Sequence, residues 1–130
     1  MRGALTQTKV LVVDDEAMIR WSIEQTLRTA GYDVAVAATA AEGMELFHQL
    51  HPEVVLLDLR LPDANGATIL KAIKGESDLE SSVIVMTAFE QDCSEEEAKR
   101  LGAFEYLKKP FDFDGLDGLV HKALQAATPG

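Results

Sequence analysis

Val54-Val55-Leu56-Leu57-Asp58 is a run of four apolar residues, two of them β-branched, that ends on a carboxylate. Two further stretches are built the same way. Val10-Leu11-Val12-Val13 runs into Asp14-Asp15-Glu16, and Val83-Ile84-Val85-Met86 runs into Thr87. A strand with one wet face alternates apolar and polar residues; a continuous run marks a strand covered on both faces, as in a parallel sheet. Weaker strands are expected at residues 33–37 and 104–107.

Between these strands lie five amphipathic stretches. The first covers residues 17–30, with Ile19, Ile23, Leu27 and Ala30 on one stripe and Gly31 as its stop. The second opens on the capping box Thr39 and Glu42 and carries Met44, Phe47 and Leu50 inward. The third spans residues 67–74, with Ile69, Leu70 and Ile73 facing the core. The fourth opens on Ser94 with Glu97 and stops before Gly102; the fifth starts after Asp112 and buries Leu116, Leu119, Val120 and Leu124. Five successive βα units define a doubly wound, three-layer α/β domain with helices on both sheet faces. It is expected over residues 9–126, after a disordered lead at 1–8 and before a linker start or chain end at 127–130.

A length of 130 residues suits one domain with one sizeable core. The formal net charge of −10 disfavours direct nucleic-acid contact by this domain, because phosphate backbones are held mainly by Lys and Arg. It suits a domain that gathers divalent cations or meets basic surfaces. The single cysteine, Cys93, forms no internal disulfide and matches no cysteine-nucleophile signature. No window reaches the roughly 20 apolar residues of a membrane span, and residues 1–9 lack a signal-peptide core. The expected location is the cytoplasm.

In doubly wound sheets, ligands bind beyond the carboxyl ends of the strands. There the sequence places Asp14, Asp15, Asp58, Thr87 and, after the fifth strand, Lys108-Lys109-Pro110. Singly, each has an ordinary reading: an acidic pair caps a helix, an aspartate makes a turn, a lysine is solvated. Together they are a site. Three converging carboxylates repel and call for a hard divalent cation, Mg²⁺ or Mn²⁺, which needs only one or two carboxylates plus phosphate oxygens. Such a set suits phosphoryl transfer, with Asp58 as carboxylate nucleophile and Lys109 pairing with the phosphoryl oxygens. Thr87 is placed to donate a hydrogen bond to one of them.

Four segments make the chain resemble the receiver domain of two-component response regulators over residues 9–126. They are Val10 through Glu16; Leu56 through Pro62 with Gly66; Met86-Thr87-Ala88; and Gly102 through Phe111. The resemblance implies the flavodoxin-like strand order 2-1-3-4-5. It implies Asp58 as phosphoacceptor, with Asp15, Asp58 and the Arg60 carbonyl as direct Mg²⁺ ligands and Asp14 acting directly or through water. The Ala88 N–H and Lys109 would hold the phosphoryl group, Pro110 would follow a cis peptide, and Thr87 and Tyr106 would form the switch. It further implies a sensor histidine kinase as donor and an output domain or effector as partner. The protein would dephosphorylate itself and would be a signalling domain rather than a turnover enzyme. The responding surface would be the fourth helix, fifth strand and fifth helix, with homodimerisation on activation.

Ile19-Arg20-Trp21 and residues 102–111 are similar to receivers of the nitrogen-regulation class of transcription activators. Trp21 lies off the core stripe, so it either faces solvent where such receivers meet their kinase or packs on a neighbouring loop. Residues 90–100 are unusually acidic and apolar-poor for a signalling face: only Cys93, Ala98 and Leu101 are available to pack, which either argues against the usual dimer mode through this face or points to a basic partner. The loop at residues 75–82 is expected to be polar and mobile. His48 and His51, three apart, lack a third ligand and read as surface residues; His121 has no assigned role. A haloacid-type phosphatase needs Asp-x-Asp where this chain has Asp14-Asp15-Glu16. A flavodoxin-type module needs a hydroxyl-rich phosphate loop there, and a non-phosphorylated pseudo-receiver is opposed by the complete set Asp14, Asp15, Asp58, Thr87 and Lys109.

Overall fold

The computed structural model describes residues 8–75, 81–88 and 93–127. The expectations for the leading residues, for most of the 75–82 loop and for residues 90–92 therefore lie outside the described residues. Five strands, β1 (Lys9–Val13), β2 (Asp33–Ala37), β3 (Val54–Asp58), β4 (Ser82–Thr87) and β5 (Glu105–Lys108), form one sheet in the order β2-β1-β3-β4-β5. Every pairing is parallel. The connections are α1 (Ala17–Thr29), α2 (Ala40–Leu50), α3 (Gly66–Lys74) and α4 (Glu95–Arg100), with α5 (Leu116–Ala127) after β5.

The continuous apolar runs behave as a two-faced sheet requires. Successive side chains of a strand point to opposite faces, so each run divides between two cores. Leu11, Val13, Val55, Leu57, Val83 and Val85 join Phe47, Leu70, Ile73 and Ala98 from α2, α3 and α4. Val10, Val12, Val54, Leu56, Ile84 and Met86 join Ile23, Leu27, Leu116 and Val120 from α1 and α5. Burying each Val or Leu contributes about 1.5–3 kcal/mol; these strands anchor the fold and set its register.

Register brings the chemistry together. Val13 stands beside Leu57 and Ala37, Asp58 beside Met86, and Thr87 beside Lys108. The Asp14 N–H donates to the Ala37 carbonyl at 3.0 Å and the Lys109 N–H to the Thr87 carbonyl at 2.8 Å, continuing the ladders one step past the strand ends. Asp58 and Thr87 are the last residues of their strands rather than the first of their loops.

Several local expectations shift. Ala30 is exposed, because it caps α1 and lies past the core contact. α5 begins at Leu116: Asp112 accepts the Asp114 N–H at 2.9 Å and Gly115 takes φ +85°, so a turn precedes the helix. Leu119 and Leu124 are half-buried, whereas Ala123 is fully buried. α2 ends on His51 in the left-handed region at φ 49°, with its N–H on the Phe47 carbonyl at 3.0 Å. His48 and His51 are exposed, as read.

The N-terminus of α2 is held from two sides. Thr39 accepts the Glu42 N–H at 3.1 Å, and the Glu42 carboxylate accepts the Ala38 N–H at 3.0 Å. Asp63, in the loop after β3, accepts the Ala40 and Ala41 N–H groups at 2.8 and 3.0 Å. These bonds hold the Asp63 carboxyl below the usual carboxylate range. The same loop is closed by the Gly66 N–H on the Leu59 carbonyl at 2.8 Å and by a bridge between Arg60 and Asn65.

Gly66 is where this closure tolerates no side chain: a Cβ there would sit 2.5 Å from the Leu59 Cα and 2.7 Å from the Asp58 carbonyl oxygen. Gly118, exposed in α5, has nothing within 4 Å of the same position. Gly66→Ala is therefore expected to lower stability by about 1–3 kcal/mol, and Gly118→Ala to raise it by about 0.5 kcal/mol. Urea unfolding of the two variants against the parent tests this; equal midpoints for the two would contradict the close approach at Gly66.

Candidate functional site

At the carboxyl edge of the sheet, Lys109 reaches back across the strand ends. Its Nζ donates to Asp14 Oδ2 at 2.7 Å, to Glu16 Oε1 at 2.8 Å and to Asp58 Oδ2 at 3.4 Å. Asp14 is fully buried and Asp58 nearly so, while the Lys109 side chain is only 7% exposed. An ammonium offers three donors and here has three carboxylates around it. Asp14 is fixed on both oxygens, because Oδ1 accepts the Glu16 N–H at 2.8 Å. Its carbonyl accepts from Arg20 Nη1 at 2.8 Å, tying the strand end to α1.

Asp58 is held by a turn of its own: Oδ1 accepts the Arg60 N–H at 3.2 Å. Burial is the leading influence and pushes its carboxyl up to about 6, against the Arg60 N–H and the Lys109 charge, which pull it down; Asp14 adds repulsion. Burial alone would lower Lys109, but the hydrogen bonds to Asp14 and Glu16 and the charges of Asp14 and Asp58 outweigh it and raise the ammonium above its ordinary value. The site holds more negative charge than one lysine neutralises.

Asp15, Glu16, Asp58, Arg60, Ala88 and Lys109 line a cavity of about 260 Å³ at this edge. Oxygens of Asp14, Glu16 and Asp58 lie within 4.8 Å of one another. An all-oxygen, carboxylate-rich set beside a cavity with room for several waters fits a hard cation such as Mg²⁺, which retains several waters. Asp15 is exposed and lines the same cavity but lies outside that close group.

The sequence-predicted residues thus converge, with differences of detail. Thr87 is buried at the end of β4, and Ala88 is exposed at the cavity wall. The Lys109–Pro110 peptide is cis, as expected. Tyr106 is buried with its hydroxyl donating to the Cys93 carbonyl at 2.7 Å, so its ring is already turned inward. Cys93 and Ala98 are buried and Leu101 packs against the same core. Trp21 faces solvent at 57% exposure beside Met18 at 73%, which decides between its two readings. Glu16 joins the site beside the expected residues; its signal in the sequence is a third acid directly after the pair at the end of β1.

A doubly wound sheet that gathers buried aspartates and a lysine at its carboxyl edge defines a phosphoacceptor signalling domain. The response regulator receiver domain model matches residues 10–121, and the chain belongs to that family. It is 37% identical over 117 residues to regulatory protein AtoC of Escherichia coli, covering 90% of this chain and 25% of that protein. It is 39% identical over 115 residues to the DNA-binding transcriptional regulator NtrC of the same organism, covering 88% of this chain and 24% of that one. The chain therefore spans about a quarter of these regulators. By contrast it covers 93% of sporulation initiation phosphotransferase F of Bacillus subtilis, at 35% identity over 89% of this chain. Among solved structures, a CheY-like receiver domain from Methanospirillum hungatei superposes with a TM-score of 0.84 at 28% identity, covering 94% of this chain and 97% of that one. The receiver domain of NtrX from Brucella abortus gives 0.81 at 29%, covering 89% and 98%.

The raised Asp58 carboxyl has a consequence for stability. Folded Asp58 titrates near 6, above the unfolded value of about 4. Between these values the folded state binds the extra proton, so without divalent cations this residue makes stability fall as pH rises through about 4 to 6. Asp58→Asn is expected to be more stable than the parent at pH 8 by on the order of 1–2 kcal/mol, with the difference fading below about pH 4. Urea titrations in EDTA across this range check it; parallel pH profiles would refute it.

Proposed function

We propose that Asp58 accepts a phosphoryl group from the phosphohistidine of a sensor histidine kinase, and that the resulting acyl phosphate switches a signalling surface. The observation that carries the reading is the Lys109 ammonium set among buried Asp14 and Asp58, with a cavity open beside them. An oxygen of Asp58 forms the new P–O bond as the donor's bond to phosphorus breaks and the donor leaves with that electron pair. Asp58 reacts as the carboxylate and needs no general base. Lys109 and the Ala88 N–H pair with the phosphoryl oxygens, and the Thr87 hydroxyl donates to one of them. Asp15, Asp58, the Arg60 carbonyl and Asp14 would hold Mg²⁺ (or Mn²⁺), which supplies positive charge to the phosphoryl oxygens. Water attack on the acyl phosphate later returns Asp58 and inorganic phosphate, so the domain acts as a timed signal rather than a turnover enzyme.

Thr87 and Tyr106 carry the change outward. Phosphorylation adds about −1.5 to −2 charge and draws the Thr87 hydroxyl toward the new oxygens, which further stabilises the inward Tyr106 rotamer already held by the Cys93 carbonyl. The population of the α4–β5–α5 face shifts toward a partner-binding form. Similarity to NtrC, a DNA-binding transcriptional regulator, supports transcription as the output, and the chain's span of about a quarter of AtoC and NtrC supports an attached output domain or separate effector. A cytoplasmic location and homodimerisation on activation complete the proposal. Glu95, Glu96 and Glu97 are all exposed in the first turn of α4, which favours a basic partner surface there.

Incubation with Mg²⁺ and acetyl phosphate, followed by intact-mass measurement, tests the reading. The parent is expected to gain one phosphoryl group, Asp58→Asn none, and the parent in EDTA none. A parent that gains nothing, or an Asp58→Asn chain that gains as much, refutes the assignment.

A further inference from the structure

Glu16 occupies an unusual position for a helix-capping residue. It is the N-cap of α1, yet its side chain makes no cap hydrogen bond. Its backbone N–H is held by Asp14 at 2.8 Å, and its carboxylate turns to Lys109 at 2.8 Å. Short side chains cap helices because they reach back to the N2 or N3 N–H; here the side chain is spent on the lysine. Of the three carboxylates on Lys109, Glu16 alone is solvated, with 59% of its side chain exposed against none for Asp14 and 6% for Asp58.

That asymmetry matters when a phosphoryl group arrives. Lys109 has three N–H donors, and all three are directed at carboxylates. To pair with phosphoryl oxygens while staying beside the Asp58 carboxylate, its long contact at 3.4 Å, it must release Asp14 or Glu16. Releasing Asp14 strands a buried carboxylate without its cation, a heavy loss. Releasing Glu16 leaves a carboxylate that water rehydrates at little cost. Resting on the phosphoacceptor reading of Asp58, we propose that Glu16 is the releasable partner of Lys109, a positioning residue that holds the lysine back and so slows phosphoryl uptake. The same carboxylate adds negative charge to the oxygen cluster it forms with Asp14 and Asp58. Glu16 therefore also favours the divalent cation.

The two effects have opposite signs in one variant. Glu16→Gln is expected to bind Mg²⁺ about two- to fivefold more weakly, as read by calorimetric titration without phosphodonor. At saturating Mg²⁺ it should take up a phosphoryl group from acetyl phosphate about two- to fivefold faster, the size expected for one solvated ion pair. Glu16→Asp keeps the charge but shortens the reach to Lys109, and it should phosphorylate as fast as Glu16→Gln. An unchanged or slower Glu16→Gln rate overturns the proposal, as does an unchanged Mg²⁺ affinity. So does a Glu16→Asp rate equal to the parent's while Glu16→Gln is faster, which would assign the effect to charge at the mouth rather than to the lysine pair. A parent that takes up no phosphoryl group fails the phosphoacceptor reading instead, so the two failures are distinguishable.

Discussion

The contact on which the site depends is one ammonium among three carboxylates. Lys109 lies 2.7 Å from Asp14, 2.8 Å from Glu16 and 3.4 Å from Asp58, and it is itself almost wholly removed from water. Two buried carboxylates side by side would be untenable without it, since removing charged groups from water costs several kcal/mol each unless they are paired. The lysine makes the pair tolerable but does not neutralise it. The surplus negative charge is what makes the site attract a cation and, through it, a phosphoryl group. A fully satisfied arrangement would be stable and inert.

The rest of the fold serves to hold that arrangement in place. The four participants come from three separate segments, after β1, at the end of β3 and after β5. Only a parallel sheet in this order brings those ends to one edge. Its rigidity comes from the two cores on either face, each taking alternate residues of the same strands. The loop after β3 adds precision. Gly66 allows it to fold back onto Leu59 and Asp58 with no room for a Cβ, while Asp63 fastens it to the start of α2. Asp58 is thus braced by its own loop as well as by its strand.

The route outward is shorter than the distance in sequence implies. Thr87 ends β4 beside Lys108 of β5, and Tyr106, two residues earlier, donates its hydroxyl to the Cys93 carbonyl just before α4. Helix α4 has only Ala98 fully buried. An element held by so few apolar contacts is easily biased, which suits the signalling role proposed for this face. On the opposite side of the edge, α1 presents Met18 and Trp21 to solvent next to Arg20, whose guanidinium holds the Asp14 carbonyl. Surface and site are joined there through a single side chain.

The strands, most of the helix stripes and the convergence of Asp14, Asp58, Thr87 and Lys109 at one sheet edge were legible from residue order. Covered parallel strands need continuous apolar runs, and ligands collect at their carboxyl ends; both facts are local or topological. The capping boxes at Thr39 and Ser94 were legible for the same reason, being contacts over three residues. What only the tertiary structure decided were contacts between segments far apart in sequence. Asp63 capping α2 spans 23 residues, and Lys109 choosing Glu16 as well as Asp14 spans 93. His51 at positive φ and the turn that delays α5 to Leu116 also escaped the sequence, although both are local: a helix C-cap on the Phe47 carbonyl, and an aspartate turn at Asp112 followed by Gly115 at positive φ. Residue types declare which chemistry is possible, since charge and hydrogen-bonding capacity belong to the side chain. Which carboxylate is buried, which is solvated, and therefore which can let go of the lysine is a property of distance and exposure, and those exist only in the folded chain.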